Sequence, residues 1–587
     1  MGRIFELQKL MRSRGIFAYI VPTEDFHGSE YVGEHFRLRE YLSGFTGSAG
    51  TLVVTLDNAA LWTDGRYFIQ AERELSGSVI SLMKSGEPNV PTIEQFLQDS
   101  MPEKSFLGFD GRIVSADFAC RLKKKLSQKN IQFKTDEDLG GLIWEKRPPL
   151  SRQPVIALPE RLCGLSRTEK LSMIREKMRE KKADCLALSA LDEIAWTLNL
   201  RGGDVEFNPV FLSFLLVFED KAWLFAERSI FSEEIAQSLI NDGVEIRPYD
   251  DIYSALGDHC CNVWTDPKAV NFRFLNSLED AKLIENVSPI ALMKSVKNAA
   301  EISAEKCAHL KDGVAVTRFI RWLKSAVLSQ KITEVRASEK LLEFRRMGEN
   351  FLGESFAPIV AYGANAAIVH YSANEATNTV IEPRGLLLCD TGAHYLEGTT
   401  DVTRTFVLGE LSSEEKRVFT LVLAGHLELL HARFPEGVRG SVLDYAAREP
   451  LWKHFLDFNH GTGHGVGFLL NVHEGPQRIS WKAVGDAPLK AGMITSDEPG
   501  LYVEGRFGIR HESLLLCEKS QQSEFGQFLE FSALTLVPFD REGVDPQYLT
   551  PRQITYFNDY QKLVFDRLSP LLSEEERAWL AEVTKPI

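Results

Sequence analysis

Between residues 17 and 73 the chain alternates short apolar runs with polar breaks. FAYIVP is followed by a polar stretch of helical character, YLSGFTGSAG, LVVTL, an Asp-Asn turn and AALWTDGRYF. Residues 183–230 repeat that order as DCLALSALDEIAWTLNLRGGD, FLSFLLVF, a Glu-Asp turn and AWLFAE. The apolar runs are of strand length, and an Asp or Asn turn between two of them signals a hairpin. The pattern predicts strand, helix, glycine-rich bend and hairpin, twice over. It implies two related α/β domains, 1–155 and 156–293, joined through RPPLSRQP at 147–154. From Lys297 to Lys324 apolar residues fall at helical spacing. That predicts a long helix opening a third domain, 294–587.

The third domain carries its own repeat. CDTGAHYLEGTTDVTRTF (389–406) echoes SDEPGLYVEGRFGIRHES (496–513). Each segment starts with an acid at a strand end, Asp390 or Glu498. Each passes through Tyr and Glu-Gly and returns with a second acid, Asp401 or Glu512. An acid at the edge of a buried strand is costly unless it is paired, protonated or bound to metal. Four acids in two matched hairpins call for compact positive charge. Arg404 and Arg510 could supply it as salt bridges, but two divalent metals explain the symmetry better. A third segment, HGTGHGVGFLLNVHEGP at 460–476, holds His460, His464 and His473. One imidazole added to four carboxylates makes an oxygen-rich ligand set. Such a set suits Mn²⁺, Co²⁺ or Fe²⁺ better than a structural zinc. Metals about 3.5–4 Å apart are a hydrolytic device.

Composition narrows the context. At 587 residues the chain exceeds one hydrophobic core. Its formal charge of −15 argues against nucleic-acid partners and against anionic membranes. The longest apolar run, 211–218, is strand-sized and far short of a membrane span. The start, MGRIFELQKLMRSRG, has no signal-peptide core. The eight cysteines contain no CxxC, which reads as thiols in a reducing cytosol. The expected location is therefore cytoplasmic.

The pieces IVHY (368–371), CDTGA (389–393), GTTDVTRTF (398–406), HGTGHGVG (460–467), NVHEGP (471–476), DEPGLY (497–502) and GIRHES (508–513) resemble the pita-bread metallopeptidases of family M24. SGFTGSAGT (43–51), LWTDGRYF (61–68), ALDEIAWTLNLRG (190–202) and DVEFNPVF (204–211) extend the resemblance to the three-domain Xaa-Pro aminopeptidases (aminopeptidase P). The implied fold class is α/β (α+β): two creatinase-like N-terminal α/β domains followed by a pita-bread catalytic domain with a short C-terminal extension. The resemblance puts metal ligands at Asp390, Asp401, His464, Glu498 and Glu512, with Asp401 and Glu512 bridging two ions, expected to be Mn²⁺; Zn²⁺ or Co²⁺ could use the same ligands. It implies release of the first residue from peptides with proline second, by attack of a metal-bridging hydroxide. Glu498 would take the proton of the nucleophilic water. His370 and His473 would steady the carbonyl oxygen, and His460 would line the pocket. Arg510 would orient a carboxylate ligand and contact substrate, and Arg66 would contact substrate. A homodimer is implied, acting on short peptides. Two alternatives are a prolidase that cuts only Xaa-Pro dipeptides and a non-catalytic pita-bread binding protein. His394 and His511 should be incidental, since strand alternation turns each away from its neighbour's face. Asp192 and Glu193 read as structural. The glycines of 460–467 should let the backbone pass close to metal and peptide.

Overall fold

The computed structural model describes residues 2–259, 261–375 and 377–587. By internal packing they form two units: 2–158 with 165–290, and 159–164 with 291–587.

The first unit holds two six-stranded sheets built alike. In one, the strand order is Ile80–Lys84, Ala59–Thr63, Thr51–Thr55, Ala18–Pro22, Phe106–Gly108, Gln132–Lys134. In the other it is Val244–Arg247, Ala222–Phe225, Phe214–Phe218, Cys185–Leu188, Asn262–Thr265, Lys282–Glu285. The pairing directions also match strand for strand. The central hairpin and its inner neighbour are antiparallel, and the three outer pairings are parallel. The repeated hydrophobic pattern is thus a repeated topology. Ala18–Pro22 and Cys185–Leu188 are buried along their whole length because helices cover both sheet faces. Arg167–Lys181 opens the second repeat's helices, with Ser166 and Glu169 forming a capping box.

The second unit also has two similar halves. The helix predicted over 297–324 spans Ala299–Ala326. Asn298 and Glu301 cap it reciprocally, so it starts two residues later than the apolar spacing indicated. With Glu334–Arg346 it covers one face of a three-stranded sheet, Ile359–Tyr362, Leu386–Thr391 and Val402–Val407. Helices Ser413–Leu430 and Gly440–Trp452 cover a six-stranded sheet that includes Gly463–Gly465, Glu474–Ile479, Ile494–Asp497 and Ser513–Ser523. Alternation along these strands sorts their side chains. Leu387 and Cys389 pack against the first helix pair, which leaves Asp390 on the opposite face with Leu388. Leu515 and Cys517 face the second helix pair, while Leu514 and Leu516 face the other side with Val466.

No disulfide forms among the described residues. Among them no helix is long and apolar enough to cross a membrane.

Candidate metal centre

The two acidic segments fold as nested hairpins. In the first, Leu386–Thr391 pairs antiparallel with Val402–Val407, setting Asp390 opposite Thr403. In the second, Ile494–Asp497 pairs with Ser513–Ser523, and Gly500–Val503 pairs with Phe507–Arg510 inside it. The returning strands of the two hairpins are stitched together. Glu512 N–H donates to Thr403 O (2.9 Å), and Thr403 Oγ1 donates to Glu512 Oε2 (2.6 Å). Thr405 Oγ1 donates to Arg510 O (3.0 Å). The threonines of VTRT and the acids therefore share one face, and Asp390, Asp401, Glu498 and Glu512 converge.

His464 enters this group from the glycine-rich strand. Its backbone N–H donates to Ser496 Oγ (3.0 Å), and its Nε2 lies 3.5 Å from both Asp401 Oδ2 and Glu498 Oε1. One ligand atom each from Asp401, His464 and Glu512 fall within 4.8 Å of one another. Asp401 and Glu512 are 4% and 2% exposed.

The electrostatics show how badly such a group needs a cation. Burial, then Glu512, Asp390 and Glu498, push the Asp401 carboxyl well above the usual range. Burial and then Glu512 do the same to Glu498. Burial and Asp390 push Glu512 up to about 7, against the opposing pull of Thr403 and Arg510. Oδ1 of Asp390 and Oδ1 of Asp401 are buried without a hydrogen-bond partner among the described residues. Buried anionic oxygens left without donors fit hard divalent cations, and the single imidazole completes the donor set. The residues present thus suit the two-ion centre expected from the sequence.

Of the two arginines, Arg510 is the one in a direct ion pair with an acid. Its guanidinium pairs with Asp390 and donates to Tyr502 Oη (2.7 Å) and Thr403 Oγ1 (3.2 Å). Burial pulls Arg510 down, but Tyr502 and the acids outweigh it and hold it well above its ordinary value. Arg404 is instead spent on carbonyl oxygens of Thr403, Glu512 and Val537 and on Tyr560 Oη, and it stacks on Phe539.

Tyr502 emerges as a residue that sequence reading had only as a repeat marker. Its hydroxyl lies between Arg510 and His460 Nε2 (2.8 Å), joining His460 to the acid cluster. Burial and Arg510 lower His460 to about 3, so it is neutral at ordinary pH. Its carbonyl accepts from Arg448 Nη2 (2.8 Å), while Nε and Nη1 of the same guanidinium donate to Asp444 and Asp457. The His473 ring stands edge-on to His464, with centroids 4.4 Å apart. The next residue, Glu474, is buried between Lys294 (2.6 Å) and Lys297 (2.8 Å). His370 is half-buried in the turn after the short helix Gly363–Ala367. That turn is anchored by Tyr371, whose hydroxyl donates to Glu334 Oε2 (2.8 Å). His394 bonds Thr399 Oγ1 (3.1 Å), and His511 packs against Phe419 and Phe539. Arg66 belongs to the first unit, where Asp64 holds its Nε and Nη2, each at 2.8 Å. Glu193 is buried in the same unit.

The glycines need a correction. A Cβ at Gly463 would collide with the Ser496 carbonyl, and one at Gly465 with the Glu474 carbonyl. At Gly467 it would lie 2.7 Å from Leu470 Cβ. Gly463 and Gly465 are glycines because neighbouring backbone runs against them, a strand-packing demand rather than room for metal or peptide; at Gly467 the crowding comes from side chains.

Sequence profiles place these features in a family. "Metallopeptidase family M24" matches residues 303–519, and its C-terminal region matches 527–587. Two creatinase/prolidase N-terminal domain profiles match 3–147 and 146–301. Xaa-Pro aminopeptidase 1 of Dictyostelium discoideum is 39% identical over 607 residues, covering 100% of this chain and 96% of the relative. The chain belongs to metallopeptidase family M24. Aminopeptidase P1 of Arabidopsis thaliana is 37% identical to this M24 chain, covering 99% of it and 98% of the plant protein. Among solved structures, X-prolyl aminopeptidase from Caenorhabditis elegans superposes with a TM-score of 0.95 at 33% identity, over 100% of this chain and 99% of that one. It is described as a cytosolic enzyme with a di-nuclear active site. An Xaa-Pro dipeptidase from Bacillus anthracis covers only 64% of the M24 chain, at a TM-score of 0.52 and 22% identity, and shows a shared fold alone.

Proposed function

We propose that this M24 chain is a metal-dependent exopeptidase that releases the N-terminal residue from peptides with proline in second position. The observation that carries the reading is the convergence of Asp390, Asp401, His464, Glu498 and Glu512 in one group around the buried Asp401 and Glu512. Full-length similarity to proteins named Xaa-Pro aminopeptidase supports it. Asp401 and Glu512 would be shared by two ions, Asp390 would complete one site, and His464 and Glu498 the other. Mn²⁺ is the proposed ion. When bound, such a pair acidifies water into a nucleophile near neutral pH and polarises the scissile carbonyl.

The protein's own groups do the rest. Glu498, whose Oε1 lies 3.5 Å from His464 Nε2, is placed to accept a proton from the attacking water. It then delivers that proton to the imino nitrogen, which as a tertiary amide cannot leave unprotonated. His370 and His473 donate to the carbonyl oxygen as negative charge develops on it. The neutral His460, held through Tyr502 to Arg510, lines the pocket and keeps its orientation as substrate enters. Arg66 is proposed as a substrate contact on the family resemblance, and Arg66→Ala should raise KM without lowering kcat.

We divide the chain into domains 1–155, 156–293 and 294–587, and place the protein in the cytoplasm as a homodimer. An exposed apolar cluster supports the dimer. Tyr445, Trp452 and Trp481 are 57%, 39% and 52% exposed; the Tyr445 and Trp452 rings meet edge to face, and the Trp481 backbone N–H donates to Asp444 on the same helix as Tyr445.

The deciding experiment offers an Xaa-Pro-Yaa tripeptide and an Xaa-Pro dipeptide to protein stripped with chelator and then reloaded with Mn²⁺. Release of the first residue from the tripeptide, only after reloading, is expected. Cleavage of the dipeptide alone would make the protein a prolidase, and full activity in chelator would end the metal reading. Glu512→Ala and His464→Ala should each abolish turnover in folded protein.

A further inference from the structure

Arg345 and Asp312 form a buried ion pair that the chemistry above does not use. Arg345 is among the largest fully buried side chains of the protein, and Asp312 is 3% exposed. Asp312 comes from the long helix Ala299–Ala326 and Arg345 from its partner Glu334–Arg346. Arg345 Nε donates to Asp312 Oδ1 (2.8 Å) and Nη2 to Oδ2 (3.2 Å). A pair needed only to join two helices would stop there.

This one continues into the first acidic hairpin. Arg345 Nη2 also donates to Thr391 Oγ1 (3.1 Å), and Nη1 donates to the Gly392 carbonyl (3.0 Å). Asp312 Oδ2 accepts from Thr400 Oγ1 (2.8 Å), and Oδ1 from the more distant Tyr395 hydroxyl (3.4 Å). Thr391 directly follows Asp390, and Thr400 directly precedes Asp401. The pair therefore grips the hairpin at its neck, one residue from each acid and on both strands. The neck is closed further by Ala393 N–H donating to Thr400 Oγ1 (3.0 Å) and by Ser355 Oγ donating to the Thr400 carbonyl (2.9 Å). Gly392 sits so tightly that a Cβ there would collide with Ser355 Oγ and the Thr400 carbonyl. Asp390 and Asp401 each keep a buried Oδ1 without a donor among the described residues.

We infer that Arg345 and Asp312 are positioning residues for the metal centre: through Thr391 and Thr400 they fix the spacing of Asp390 and Asp401 against each other. This rests on the metallopeptidase reading. Acids that repel one another spread apart unless something holds them, and a guanidinium has the planar, multidentate donors to hold both strands at once. The repulsion is thus restrained by the fold before any ion arrives.

Replacing Arg345 or Asp312 outright leaves a buried unpaired charge, and such variants can fail to fold for that reason alone. The test therefore uses Thr391→Val and Thr400→Val, which keep the pair and remove its side-chain link to each strand, with Arg345→Lys as a third variant. Binding of Mn²⁺ alone is followed by calorimetric titration of the metal-free full-length chain, alongside its circular dichroism. Both valine variants should keep the wild-type spectrum and bind Mn²⁺ about tenfold more weakly at the ion held by Asp390 and Asp401. Arg345→Lys, with a point charge in place of the fork, should show the same loss. Kinetically, the Mn²⁺ concentration for half-maximal activity should rise while KM for the peptide stays put. Folded variants that bind both ions as tightly as wild type would overturn the inference while leaving the parent reading intact. A wild-type protein that takes up no Mn²⁺ would overturn both.

Discussion

Glu512 offers a direct test of the frustration built into the metal-free site. Its carboxyl is raised from 4.5 to about 7 by burial and Asp390. In the metal-free fold the proton is therefore bound more tightly than in the unfolded chain. The associated stability is fully present below pH 4.5 and is lost as pH rises to about 7. At ~1.4 kcal/mol per pH unit the whole effect is about 3 kcal/mol, of which about 2 kcal/mol falls between pH 5.5 and 8. Glu512→Gln removes this titration, and its amide oxygen can still accept from Thr403 Oγ1. Metal-free Glu512→Gln should gain on metal-free wild type as pH rises from 5.5 to 8. At ~2 °C per kcal/mol for a unit of this size, the difference in Tm widens by roughly 4 °C. Buried histidines lowered in the fold, such as His426 and His460, each to about 3, titrate in the opposite sense. They are common to both proteins and cancel in the difference. Scanning calorimetry in chelator reads the effect. Saturating Mn²⁺ should reverse the order, because ions stabilise the ionised acid. A Tm difference that stays flat, or closes as pH rises, would refute the claim that burial and Asp390 hold Glu512 against ionisation.

Three further outcomes are expected. Tyr502→Phe removes the hydroxyl between Arg510 and His460; about 1.5 kcal/mol of lost charge-assisted bonding should lower kcat/KM on an Xaa-Pro-Yaa peptide roughly tenfold. Bound Mn²⁺ per chain should be unchanged in that variant. Gly463→Ala drives a Cβ into the Ser496 carbonyl and should destabilise the second unit by about 2 kcal/mol in urea titrations, metal or no metal. Lys297→Met strands half the charge of buried Glu474 and frees the Val466 carbonyl; a loss of about 3 kcal/mol in the same titration is expected.

The hydrophobic pattern was a faithful guide where structure is local. Both α/β repeats lie where the alternating runs placed them, down to the Asp57-Asn58 turn between Thr51–Thr55 and Ala59–Thr63. The long helix shifted by two residues because a capping side chain, not apolar spacing, decides where a helix begins. The acidic repeat was legible because equivalent hairpins place equivalent side chains on equivalent faces. His394 was set aside on strand alternation, and it pairs with Thr399 within its own hairpin.

Other features were invisible for a common reason. Tyr502 lies 42 positions from His460, Thr403 lies 109 from Glu512, and Asp312 lies 88 from Thr400. None of these pairs leaves a periodic trace, since each depends on how separate elements pack. The glycines of HGTGHGVG were visible, but the cause at Gly463 and Gly465 was misread: the backbone that crowds them is that of Ser496 and Glu474.

By itself, then, the amino-acid order determined the elements, their twofold repetition, the candidate donor residues and the family. These follow from spacings of two and three to four residues and from motif chemistry, all written along the chain. Only the tertiary structure decided which arginine meets an acid, what orients His460, and what grips the neck between Asp390 and Asp401. Those contacts are made by two hairpins and two pairs of helices closing on one another. Packing geometry, not sequence distance, selects which buried polar atoms find partners and which, the Oδ1 atoms of Asp390 and Asp401 among them, do not.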